Sequence, residues 1–93
     1  PPLPRDIEAQ EWHRVFMAVW DDLQACLARG EAPPIDDYAA TRPGECFAVC
    51  CEYFFSAPDV LNNAYPELYR LLERYFRQQP LARLPAVERE PAG

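Results

Sequence analysis

Proline lacks a backbone N–H and its ring clashes with the preceding helical turn, so it is tolerated at the start of a helix and expelled from the interior. Eleven of the ninety-three residues are proline. Pro1, Pro2 and Pro4 open the chain, Pro33 and Pro34 fall together, Pro43, Pro58, Pro66 and Pro80 stand singly, and Pro85 and Pro91 lie near the end. They therefore cut the chain into segments whose ends are marked in advance. In the first segment Ile7, Trp12, Val15, Phe16, Val19, Trp20, Leu23, Cys26 and Leu27 recur at spacings of three and four. Arg14, Asp21, Asp22, Gln24 and Arg29 fill the opposite side, the pattern of an amphipathic helix. Asp6 is its expected N-cap, Glu8 and Glu11 favour its positive end, and Gly30 closes it.

Residues 31–42 carry Pro33, Pro34 and two adjacent aspartates without a sustained period and read as an ordered loop. A second helix is expected from Thr41 or Arg42, with Pro43 and Glu45 in its first turn. From Cys46 to Phe55 nearly every side chain is apolar, which predicts a central helix surrounded by protein. The scarcity of β-branched residues there argues against a buried strand. A short helical turn follows through Leu61, and another helix begins at Tyr65-Pro66-Glu67. Leu68, Leu71, Leu72, Tyr75 and Phe76 form its apolar stripe, and Arg70, Glu73, Arg74 and Arg77 its wet side. Pro80 is expected to stop it. The predicted fold is all-α, three main helices plus a short connecting one, with residues 1–80 as the helical unit and 81–93 as a flexible tail.

At 49% apolar and 26% charged residues, the chain has the composition of one small globular domain. Its net charge of −6 lacks the basic footprint that a phosphate backbone demands, so no nucleic-acid partner is expected. No stretch approaches the roughly 20 apolar residues of a membrane span, and no secretory signal is visible, so a cytoplasmic protein is expected. Of four cysteines, Cys46, Cys50 and Cys51 crowd together. That distribution does not suit a disulfide framework and predicts reduced, buried thiols. Cys46 and Cys50 share one helical face at a spacing known for metal ligands, but the rest of such a site is not evident.

Two local features bear on chemistry. Pro33-Pro34-Ile35-Asp36-Asp37-Tyr38 is an acidic, proline-flanked loop whose tyrosine lies seven residues before Glu45. Glu45 leads into the apolar helix, and Glu52 follows on roughly the same face. A carboxylate against apolar packing must be paired, protonated or bound to a cation. The ordinary alternative is that Glu45 stabilises its helix end and Glu52 joins a salt bridge.

The run Asp36-Asp37-Tyr38-Ala39-Ala40-Thr41-Arg42-Pro43-Gly44-Glu45-Cys46-Phe47-Ala48-Val49, followed by Glu52-Tyr53-Phe54-Phe55-Ser56-Ala57-Pro58, closely resembles the C-terminal part of the Mlc titration factor A family. These proteins, also called DgsA anti-repressors, are zinc metallopeptidases of the gluzincin type. The likeness continues through Tyr65-Pro66-Glu67-Leu68-Tyr69 and Tyr75-Phe76-Arg77-Gln78-Gln79-Pro80-Leu81 and covers most of the chain. The resemblance implies a peptide substrate, an activity of aminopeptidase type and a transcriptional repressor as partner. In such enzymes one helix supplies two histidine ligands and a glutamate general base, and a later helix supplies a third ligand. Glu45 matches that later ligand. Tyr38 matches a family tyrosine whose phenol donates to the oxyanion of the tetrahedral intermediate.

The chain departs from the family pattern in having a single histidine, His13, and no His-Glu-x-x-His. His13 matches no family ligand and is expected to be structural. The expectation is thus a C-terminal fragment of a longer enzyme, inactive alone, with zinc held by the intact parent and not stably by the fragment. Helix faces that would pack against the absent part are expected to drive self-association. Two rivals stand beside the enzyme: a helical module that binds a repressor without catalysis, and a degenerate relative that has kept the helices and lost the metal.

Overall fold

The residue before a proline is pushed out of the α region by the proline ring, so each Xaa-Pro junction turns the chain before a helix can start. In the structure, a computed structural model that describes residue 3 and residues 7–77, this junction recurs three times. Arg42 is extended (φ −157°, ψ 152°) ahead of Pro43. Ala57 (φ −147°, ψ 60°) precedes Pro58, and Tyr65 (φ −138°, ψ 73°) precedes Pro66. The described residues form α1 (Ala9–Ala28), a 3-10 turn (Asp37–Ala40), α2 (Pro43–Ser56), α3 (Pro58–Ala64) and α4 (Pro66–Arg77). The last three helices each open on a proline and are joined by one residue apiece. The expected all-α fold, with its short connecting helix, is the fold observed.

The helix α1 starts later than the sequence suggests. Glu8 occupies the N-cap without a side-chain cap bond; Asp6, like the Pro80 stop and the tail 81–93, lies outside the described residues. Its other end follows expectation. Gly30 takes φ +74°, its N–H donates to the carbonyl of Leu27 at 2.9 Å, and the Glu31 N–H donates to that of Cys26 at 3.0 Å. This double bond pattern satisfies carbonyls that a helix end would otherwise leave open.

The core lies where α1 and α2 meet α3 and α4. Leu23, Leu61, Leu68, Leu71 and Leu72 are each at most 1% exposed. The ring of Trp12 sits 5.1 Å from that of Tyr75 and 5.8 Å from that of Phe47, tying α1 to α4 and α2. Arg74 belongs to this seam and not to a wet face. It makes a two-pronged contact with Glu11 of α1, at 2.9 and 3.1 Å. Leu27, expected on the apolar stripe of α1, is exposed near the C-terminal end of that helix.

One further expectation gains a detail and another is corrected. The loop 31–42 contains the 3-10 turn, with Ile35 and Ala39 buried beneath it. Nor is α2 enclosed on all sides. Cys46, Val49 and Cys50 are buried, whereas Ala48, Glu52 and Phe55 are exposed and Glu45 is only partly covered. These four lie on one stripe of the helix, and no described element packs over it closely enough to bury it. An apolar sequence shows that a helix can be buried all round, but neighbours decide which faces are.

Candidate functional site

The 3-10 turn is held by polar groups on its own backbone and from two helices. The Asp36 side chain accepts a hydrogen bond from the Tyr38 N–H at 2.9 Å and so caps the turn. The Tyr38 carbonyl accepts from the Thr41 hydroxyl at 2.7 Å. Long-range bonds grip both ends. The Asp36 N–H donates to the Tyr53 hydroxyl of α2 at 3.0 Å, and Gln24 Nε2 of α1 donates to the Ala40 carbonyl at 2.7 Å. Between these grips Ala39 is fully buried, and Tyr38 beside it is 51% exposed. The phenol is thus presented to solvent from an anchored backbone.

The turn packs directly on α2, the helix that carries Glu45. Pro43 opens this helix, and the Cys46 N–H donates to the Arg42 carbonyl at 2.9 Å to start its ladder. Glu45 lies in the first turn, where the helix dipole favours a carboxylate. Its nearest cation is Arg42, at 3.6 Å, and the exposed Arg42 side chain remains in water. Such a long surface contact contributes little to stability. The carboxylate is therefore partly covered and loosely paired.

The thiols play a different part. All four cysteines are free, and Cys26, Cys46 and Cys50 are buried. Burial pushes the Cys51 thiol up to about 12, and the Cys46 contact together with burial raises that of Cys50 further. The neutral thiols of Cys50 and Cys51 pack as small apolar groups. Cys26 Sγ also donates weakly to the Ala32 carbonyl at 3.4 Å. The described residues hold no group of three or more His, Cys, Asp or Glu side chains able to bind a metal ion. His13 is exposed on α1.

The structure thus places Tyr38 and Glu45 on two adjoining elements. Sequence reasoning did not find Gln24 or Tyr53, whose partners lie sixteen and seventeen residues away. Gln24 falls on the polar side of the α1 pattern and Tyr53 within an aromatic run, so neither carries a local signal. No helix among the described residues is long and apolar enough to cross a membrane.

Comparison with known proteins is consistent along the chain. The family described as glucose-regulated metallo-peptidase M90 matches residues 1–77. A protein of Serratia proteamaculans named Mlc titration factor A is 46% identical over 93 residues, covering 97% of this chain and 35% of its own length. Proteins of the same name from Edwardsiella ictaluri and Yersinia enterocolitica are 45% identical over 87 residues and 43% over 93. These matches cover 90% and 97% of this chain, and 33% and 34% of the relatives. The chain spans about a third of the length of the curated relatives it matches. No solved structure matches it.

Proposed function

Because the chain belongs to the glucose-regulated metallo-peptidase M90 family, we propose that it is the C-terminal helical part of a cytoplasmic zinc peptidase of aminopeptidase type, with Glu45 as third zinc ligand and Tyr38 as oxyanion donor. The observation that supports this reading is the seating of an anchored, solvent-facing tyrosine turn against the helix whose first turn bears a loosely paired carboxylate. A catalytic zinc site uses three protein ligands and an open position. The chain offers Glu45 to such a set, and two histidines outside the segment complete it in this reading. Glu45 can leave Arg42 for a cation without stranding a buried charge, since the arginine is solvated. Bound zinc supplies Lewis acidity and a lowered pKa for water.

Tyr38 acts on the substrate. Its hydroxyl donates to the carbonyl oxygen as negative charge builds there, which lowers the barrier only if the donor is already in place. The measurement is zinc stoichiometry with peptidase kinetics on the full-length polypeptide. Glu45→Ala takes zinc well below one per chain and abolishes activity. Tyr38→Phe keeps the zinc and lowers kcat by about a hundredfold. Zinc retained at one per chain by Glu45→Ala sinks the ligand assignment, and a full-length protein without zinc sinks the enzyme.

A second reading is a helical module that captures a transcriptional repressor of the Mlc type. It is supported by the name of the relatives and by the exposed stripe of Ala48, Glu52 and Phe55 on α2. Repressor capture that survives Glu45→Ala separates this role from catalysis. For the ninety-three residues alone we expect no peptidase activity. We also expect self-association through exposed Leu27, Phe55 and Val60; a monomer in sedimentation at micromolar concentration refutes that.

A further inference from the structure

A donor that stabilises an oxyanion must be held before charge develops, so whatever fixes Tyr38 matters as much as its hydroxyl. We infer that Tyr53 and Gln24 are positioning residues for Tyr38, clamping the two ends of its turn; this rests on the role proposed above for that tyrosine. Tyr53 accepts from the Asp36 N–H at the entrance, and Gln24 donates to the Ala40 carbonyl at the exit. Tyr38 lies between them, and the buried Ala39 forbids the backbone from lifting.

Satisfying loop polar groups does not account for the first bond. Asp36 is exposed, and water would serve its N–H as well as a phenol does. What the phenol adds is a fixed point. The Tyr53 ring is half-buried against the core, so its oxygen has little freedom. It also stands on α2, the helix that carries Glu45. One rigid element therefore holds the carboxylate and one end of the tyrosine turn in a constant relation, and Gln24 ties the other end to α1. A donor whose backbone drifts by about an ångström loses rate steeply without losing substrate affinity to the same degree.

The test uses the full-length polypeptide and removes the polar groups of the clamp one at a time. Tyr53→Phe keeps the ring and deletes the acceptor, and Gln24→Met keeps length and deletes the donor. Both variants are expected to speed hydrogen exchange in a peptide covering residues 35–41 by roughly tenfold, while exchange in α1 and α4 and the bound zinc stay as in the parent. Each lowers kcat by about tenfold with KM unchanged. Combining Tyr53→Phe with Tyr38→Phe lowers kcat no further than Tyr38→Phe alone, because a positioning group acts only through the group it positions. Unaltered exchange in the turn, or full additivity of the two substitutions, overturns the inference. So does a slow Tyr38→Phe beside a fully active Tyr53→Phe, which leaves the role of Tyr38 intact. A Tyr38→Phe enzyme as fast as the parent overturns that role and the clamp together.

Discussion

Polar contacts between single residues join helices that are distant in the chain. The two-pronged Glu11–Arg74 pair joins residues sixty-three apart in sequence, with each side chain about one third exposed. The Arg74 hydrogen bonds, reinforced by its charge, hold the Glu11 carboxyl below its ordinary value of 4.5. A carboxylate depressed by folding adds stability above its unfolded pKa and loses it as pH falls through the folded pKa. Glu67, hydrogen-bonded to Arg14, is lowered in the same way. Thermal stability is therefore expected to decline as pH drops from about 5 toward 3. In Glu11→Gln the decline is shallower, since glutamine does not titrate. Melting scans of both proteins across this range check it, and parallel curves contradict it. Tyr65 makes a third long contact: burial raises its phenol pKa, and its hydroxyl donates to Asp22 at 2.7 Å.

Among the elements, the end of α1 and the start of α2 follow different rules. At the first, Gly30 adopts φ +74° and a Cβ added there would meet nothing within 4 Å. Replacing it with alanine therefore costs backbone strain without a clash, about 1 kcal/mol. Urea unfolding of Gly30→Ala should show that loss, and an unchanged midpoint would mean that the helix end relaxes into another cap. At the second, Pro43 sits at the first helical position, where its missing N–H removes nothing. The one-residue links at Ala57 and Tyr65 are the same device repeated, and they bring α3 and α4 back against α2 and α1. Both kinds of boundary are written locally and were legible from Pro and Gly alone. The 3-10 turn was not, because its shape depends on Ile35 and Ala39 finding apolar cover that only the packed helices provide.

For the molecule as a whole, a small core means that each buried leucine carries a large share of stability. Leu71 is 1% exposed within the main apolar cluster. Leu71→Ala is expected to lose about 2–5 kcal/mol, and to lower the melting temperature and denaturant midpoint together. A loss below about 1 kcal/mol would show that the helices close over the cavity. The exposed stripe on α2 belongs to this scale too. The helix as a whole is apolar enough in sequence to be buried, yet Ala48 and Phe55 on this stripe remain open among the described elements.

By itself the sequence determined the end of α1 at Gly30 and the starts of α2 and α4 at Pro43 and Pro66, since proline and glycine act on the backbone within a turn of where they stand, and most of the stripes of α1 and α4 that turn inward. It also singled out Tyr38 and Glu45, as local features of the chain, while their roles came through likeness to a family. Only the tertiary structure decided that Gln24 and Tyr53 grip the tyrosine turn, that Arg74 belongs to a seam with Glu11, and that one face of α2 stays exposed to solvent. The physical reason is range. Backbone preferences are properties of a few neighbouring residues, whereas a clamp, an interhelical ion pair or the exposure of one helix face is settled only once segments far apart in sequence have packed.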